Sequence, residues 1–148
     1  MFERIVAAID SDPDRAGRVL RAAREVARPH QSQVLVAHVR DLERSMRVAA
    51  TAGQAGAIPP SISFESEDTA RHLVDEAVSG FREAGVDARG EVATGTGSTA
   101  RELLDVARRY DANLIVVGDH SSHVRDVLLG SVAHRIVHQA DCPVLIAR

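Results

Sequence analysis

Gly118 and the pair Gly130-Ser131 bracket the stretch of this chain best suited to hold an anion. A glycine closing a buried strand lets backbone approach a ligand closely. A Gly-Ser pair opening a helix offers unpaired N–H groups, a hydroxyl and the positive end of the helix dipole. Phosphate is the usual guest of such an arrangement. A second cluster, Asp10-Ser11-Asp12-Pro13-Asp14, sets two carboxylates two residues apart. That spacing suits magnesium held beside phosphates, and it raises the hypothesis of an aspartate nucleophile with a second aspartate two residues on. His134 and His138 stand four apart on one helix, with His120 and His123 in the loop before it, a spacing that can ligate metal. No cysteine or carboxylate stands poised with them, so they read as solvated or dipole-facing residues.

The elements that carry these residues alternate. Arg4 to Asp10 is a nearly unbroken apolar run, as expected for a strand covered on both faces. Ala16, Val19, Leu20, Ala23, Val26 and Ala27 recur at helical spacing with arginines between them, and Pro29 is expected to stop that helix. Gln33 to Arg40 is a second apolar strand. Leu73, Ala77, Val78, Phe81 and Ala84 mark a helix ending at Gly85. Between them Gly53, Gly56 and Pro59-Pro60 interrupt any period, so the stretch 41–65 is expected to be a mobile loop within one domain. Ala88 to Thr94 reads as a weaker third strand. The next helix takes Ser98 or Thr99 as its N-cap, Thr99 and Glu102 having capping-box spacing. Asn113 to Gly118, the helix Val132 to Ala140 and the strand Pro143 to Ala147 complete a β/α alternation. Such alternation implies a parallel sheet with helices on both faces.

On the residues Gly118 and Gly130-Ser131 the chain resembles the universal stress protein family. Nucleotide-binding members of that family carry Gly, two residues, Gly, nine residues, Gly, then Ser or Thr. Here Ser121 stands in place of the second glycine, and eight residues, Ser122 to Leu129, separate it from Gly130. The resemblance implies a doubly wound, open, five-stranded Rossmann-like α/β fold of strand order 3-2-1-4-5 over residues 1–148, whose switch point lies between strands one and four. It also implies an adenine-nucleotide site, ATP or AMP. Asp10 would face the ribose, Ala8 and Ile9 the base, and the backbone of Val39 the adenine. Gly118, Ser121, Gly130, Ser131 and Val132 would line the phosphates. On the residues alone Asp10 also reads as a turn residue capping the first helix, Ser131 as an N-cap, and the two glycines as punctuation. Arg125 could bring its planar fork toward phosphate, or stay solvated. The resemblance further implies a homodimer in which the last strands pair antiparallel, with Pro143, Val144, Leu145 and Ile146 at the contact. Apart from the resemblance, that strand is apolar and without inward charges, an edge that invites another strand.

Composition removes several alternatives. All 18 Lys and Arg residues are arginine, which excludes Schiff-base chemistry and a P-loop lysine. It also counts against haloacid dehalogenase-like phosphatases and response-regulator receivers, which resemble the Asp10–Asp14 stretch and the architecture but rely on a lysine. A net charge of −3 with 3% aromatic residues argues against nucleic-acid binding. No apolar run reaches the roughly 18 residues of a membrane span, and no signal-peptide pattern is evident, so a cytoplasmic location is expected. The single cysteine, Cys142, reads as a packing residue. The expectation is a stress-response, nucleotide-binding sensor or switch without catalysis of its own, at most a slow incidental ATP hydrolysis. Its alternative is a family member that binds no nucleotide and acts through protein contacts.

Overall fold

Arg4–Ile9 forms the central strand β1 because almost every residue in it is apolar and both of its faces are covered, Ile5 to Ala7 being fully buried. The structure is a computed structural model that describes residues 1–41, 65–95, 97–119 and 129–148. The expected loop 41–65 therefore lies, apart from its two ends, outside the described residues. After β1 come α1 (Pro13–His30), β2 (Gln33–Asp41), α2 (Glu67–Glu83), β3 (Asp87–Gly95), α3 (Thr99–Arg109), β4 (Leu114–Gly118), α4 (Ser131–Gln139) and β5 (Val144–Ala147). The sheet runs β3-β2-β1-β4-β5 and every pairing is parallel, as the resemblance implied. Ile5, Ala7 and Ile9 face a core built with α1 and α2, while Val6 and Ala8 face one built with α3 and α4. Among the described residues no helix is long and apolar enough to cross a membrane.

Three helices end in the same way. Gln31, Gly85 and Asp111 take left-handed backbone (φ 52°, 76° and 54°) after α1, α2 and α3. Each donates its N–H to the carbonyl three residues back, and the following residue donates five back, which closes a Schellman motif. The expected stop at Pro29 is thus corrected: α1 continues through it to His30. In the last turn the ring removes a single intrahelical bond, and Glu25, whose carbonyl loses its donor, is exposed to water. Left-handed backbone costs a non-glycine residue about 1–2 kcal/mol, and glycine loses about 0.4–1 kcal/mol through its looser unfolded chain. Gln31→Gly is therefore expected to stabilise the protein by about 0.5–1 kcal/mol, read as a higher urea midpoint at unchanged slope.

The same end of the sheet is tied across strands. Gln33 donates its N–H to Glu3 O (2.8 Å) and Asn113 its N–H to Arg4 O (2.9 Å). The Asn113 side chain accepts from the Arg4 amide at 3.0 Å, and Arg4 pairs with Asp111 at 3.2 Å. The capping of α3 also departs from the capping-box spacing. Ser98 is the N-cap and accepts from the Arg101 amide, and Thr99 is the first helical residue.

Candidate functional site

The carboxyl ends of β1 and β4 lie side by side, with β2 beyond β1 and β5 beyond β4, so the order of the chain reverses between them. In open α/β sheets that crevice is where ligands bind. Asp10 follows β1 directly. Its Oδ1 accepts the Asp12 N–H at 3.0 Å, and its Oδ2 lies 2.7 Å from Arg15 Nε. The expectation that Asp10 caps the first helix is corrected, because Asp12 is the N-cap of α1 and accepts the Arg15 amide at 2.9 Å. Pro13 at the first helical position needs no N–H partner, which is why this helix starts here. The hydrogen bond from the Arg15 amide, with the charge of Arg15 adding to it, holds the Asp12 carboxyl below its ordinary value.

Arg15 is the crevice residue that sequence reasoning missed. Its guanidinium also reaches Asp12, with Nη2 at 3.5 Å from Oδ2, and its side chain is 17% exposed. The stem crosses β4 at Gly118. A Cβ built on Gly118 would lie 2.4 Å from Arg15 Cγ and 3.0 Å from Cδ. Gly118 is thus the gap through which Arg15 reaches Asp10. The available signal was the spacing Asp10, Asp12, Arg15, which sets one cation on the first helical turn against two carboxylates.

The remaining expected residues divide between the two faces. Ala8 and Val39 share the α3/α4 face with Ala133 of α4, and Val132 packs half-buried against the same cluster. The Ile9 side chain faces α1 and α2 instead, and its carbonyl oxygen lies 2.9 Å from Nδ1 of the buried His38. His38 Nε2 lies 2.8 Å from Glu65 Oε2, and the Arg40 guanidinium donates twice to Glu65 O. This second cluster moors the chain ahead of α2 to the rim of the crevice. A histidine inside the apolar run of β2 was its signal, since a buried ring needs partners.

At α4 the expected N-cap Ser131 is corrected to Gly130. Gly130 has no side chain to spend on the helix, so no side-chain hydrogen bond caps it, and the first turn holds no acidic residue. By helix geometry the first-turn amides have no intrahelical acceptor. Gly118 closes β4 beside the Arg15 stem, and Gly130 opens α4. Ser121, Arg125, His120 and His123 lie outside the described residues.

The other candidates resolve simply. His134 and His138 stack with ring centroids 4.5 Å apart, and among the described residues no third ligand joins them. Burial pushes the Cys142 thiol up, with Asp141 adding to it, which fits a packing residue rather than a nucleophile. A cavity of about 320 Å³ lies at the opposite, amino end of the sheet, lined in part by Arg4, Arg89, Arg109 and Tyr110. Its charges are already engaged: Arg4 with Asp111, Arg109 with Glu91 at 2.6 Å, and Arg89 over the Tyr110 ring. Among the described residues, the crevice at the carboxyl ends sets a half-exposed carboxylate, Asp10, at the end of the sheet where α4 begins without a side-chain cap.

The model of the universal stress protein family matches residues 1–148. The chain belongs to that family. It is 30% identical to universal stress protein YxiE of Bacillus subtilis over the whole of both chains. It is 32% identical to universal stress protein A homolog 1 of Coxiella burnetii, over 97% of this chain and 94% of that one. A universal stress protein of Archaeoglobus fulgidus superposes with a TM-score of 0.74 at 26% identity over all of both chains. The structure of the universal stress protein from that organism in complex with dAMP superposes at 0.67, with 26% identity, over 100% of this chain and 98% of that one. The universal stress protein fold read from β/α alternation and resemblance is therefore the fold of this chain.

Proposed function

We propose that this universal stress protein binds an adenine nucleotide, AMP or ATP, at the carboxyl ends of β1 and β4, and acts as a cytoplasmic, homodimeric sensor or switch rather than a catalyst. The observation that carries the reading is the convergence on one crevice of a fixed carboxylate, Asp10, and an uncapped helix end at Gly130. A ribose and a phosphate need those two groups. The apolar face of Ala8 and Val39 supplies a wall for a purine. The dAMP complex of the Archaeoglobus fulgidus relative supports the same class of ligand.

Catalysis has little to work with. Asp10 is engaged by Arg15, and the chain contains no lysine to stabilise a phosphorylated aspartate. Arg15 also supplies the countercharge that Asp10 and Asp12 would otherwise lend to a magnesium ion, so any metal would come bound to the nucleotide. The second reading, a family member acting through protein contacts without nucleotide, draws on Ser121 and the shortened loop to Gly130.

The test is calorimetric titration of the nucleotide-stripped protein with AMP and with ATP and magnesium, alongside Gly130→Asp. Aspartate is a good N-cap, so the variant keeps its helix, yet its carboxylate takes the free amides and repels phosphate. Saturable binding that weakens at least about tenfold in Gly130→Asp is the expected result, the two effects together being worth about 1.4 kcal/mol or more. No binding by the folded wild type moves the function to protein contacts, and unchanged binding by Gly130→Asp moves the ligand elsewhere.

A further inference from the structure

We propose that Arg15 is a positioning residue that orients the Asp10 carboxylate for the ribose hydroxyls, and so sets the preference of the site for nucleotides that carry them. The inference rests on the nucleotide reading above and deepens it. An ionised carboxylate offers about four lone-pair directions. At Asp10 one on Oδ1 is taken by the Asp12 amide, and Oδ2 is ion-paired with Arg15 Nε at 2.7 Å without a hydrogen bond from that nitrogen. At least one direction on each oxygen is left, and the side chain is 45% exposed. Two acceptors of fixed separation, open to solvent at the switch point, match the two donors of a vicinal diol.

The orientation depends on Arg15 because the terminal torsion of an aspartate is broad and is fixed only by its partners. The Asp12 amide pins one oxygen, which leaves the carboxylate plane free to turn about it. The Arg15 charge beside the second oxygen favours one orientation of that plane by ion pairing. Arg15 is itself held: its stem lies in the space that Gly118 leaves open, against Val19, and its Nη2 reaches Asp12. The carboxylate, the arginine and the glycine act as one unit built from β1, α1 and β4.

The experiment compares AMP with 2′,3′-dideoxy-AMP by calorimetry on the wild type, Arg15→Met and Arg15→Lys. Methionine keeps most of the stem over Gly118 and removes the charge, so packing is retained while orientation is lost, and thermal melts confirm the fold. Hydroxyls bonded to a charged acceptor predict a wild-type preference for AMP of about tenfold or more. In Arg15→Met the ratio is expected to fall to about threefold or less, with dideoxy-AMP affinity within about twofold of wild type, and in Arg15→Lys to be partly restored. A wild-type ratio retained by Arg15→Met overturns the inference. So does tighter binding of both nucleotides by that variant, which would make Arg15 an occupant of the site. A wild type that binds both nucleotides equally removes Asp10 from the ribose. One that binds neither overturns the functional reading itself.

Discussion

Ile146→Arg is expected to leave the protein monomeric. β5 is the last strand of the sheet, four residues long, with Val144, Leu145 and Ile146 half-buried in the single chain and one row of backbone N–H and C=O groups open. In the homodimer proposed above, a two-fold antiparallel pairing of β5 with its copy would fill that row and cover those side chains. An arginine at 146 would bring an unpaired charge from each copy into a desolvated contact. An uncompensated charge of that kind costs about 3 kcal/mol or more, which weakens the dimer at least about a hundredfold. Size-exclusion chromatography with light scattering reads the change. Because Ile146 also packs on the α3/α4 face, a melt by circular dichroism must show that the monomer is folded, and Val144→Glu provides an independent variant. A folded variant that remains dimeric removes β5 as the contact.

The second large effect is expected at Gly118. A Cβ there meets Arg15 Cγ at 2.4 Å and Val19 Cγ2 at 3.3 Å, so Gly118→Val drives the Arg15 stem out of its channel and strains the packing of α1 on β4. Overpacking costs about 1–3 kcal/mol, and loss of the Asp10 contact adds to it, which places the total near about 3 kcal/mol. Urea denaturation measures it. Nucleotide affinity should fall at least about threefold, since the displaced guanidinium no longer orients Asp10. The double variant Gly118→Val, Arg15→Ala removes the clash and should recover much of the stability without recovering the affinity. A coupling energy near zero between the two sites would show that Gly118 matters for another reason.

What the sequence disclosed follows from the range of the interactions involved. β1 was legible because burial on both faces requires an unbroken apolar run. The stripe Ala16, Val19, Ala23, Ala27 was legible because one covered helix face repeats every three or four residues. Strand order was not written in any period and came from the family motif at Gly118 and Gly130. Helix ends were harder. Gln31 and Asp111 adopt left-handed backbone without being glycine, and Ser98 displaced the Thr99 capping box because the hydroxyl nearest the first free amide takes it. The crevice was half legible. Asp10, Gly118 and Gly130 stand out by residue type, but the roles of Asp10 and Gly118 depend on Arg15. That contact joins the first helical turn to the far end of β4, beyond the reach of any local pattern. His38 was hidden likewise, since Ile9 and Glu65 meet it only through the fold.

The Schellman turns, the Arg4–Asp111 pair and the Asn113 bridge all sit where helices hand over to strands, at the amino end of the sheet. These ties hold the strands at that end, away from the segments that follow β1 and β4. Those segments are thereby released from specifying the fold. A change of sequence in those segments can alter what the molecule grips while the scaffold remains the same. One framework can in this way be retuned from one ligand to another, or to none, by changes confined to its opposite rim.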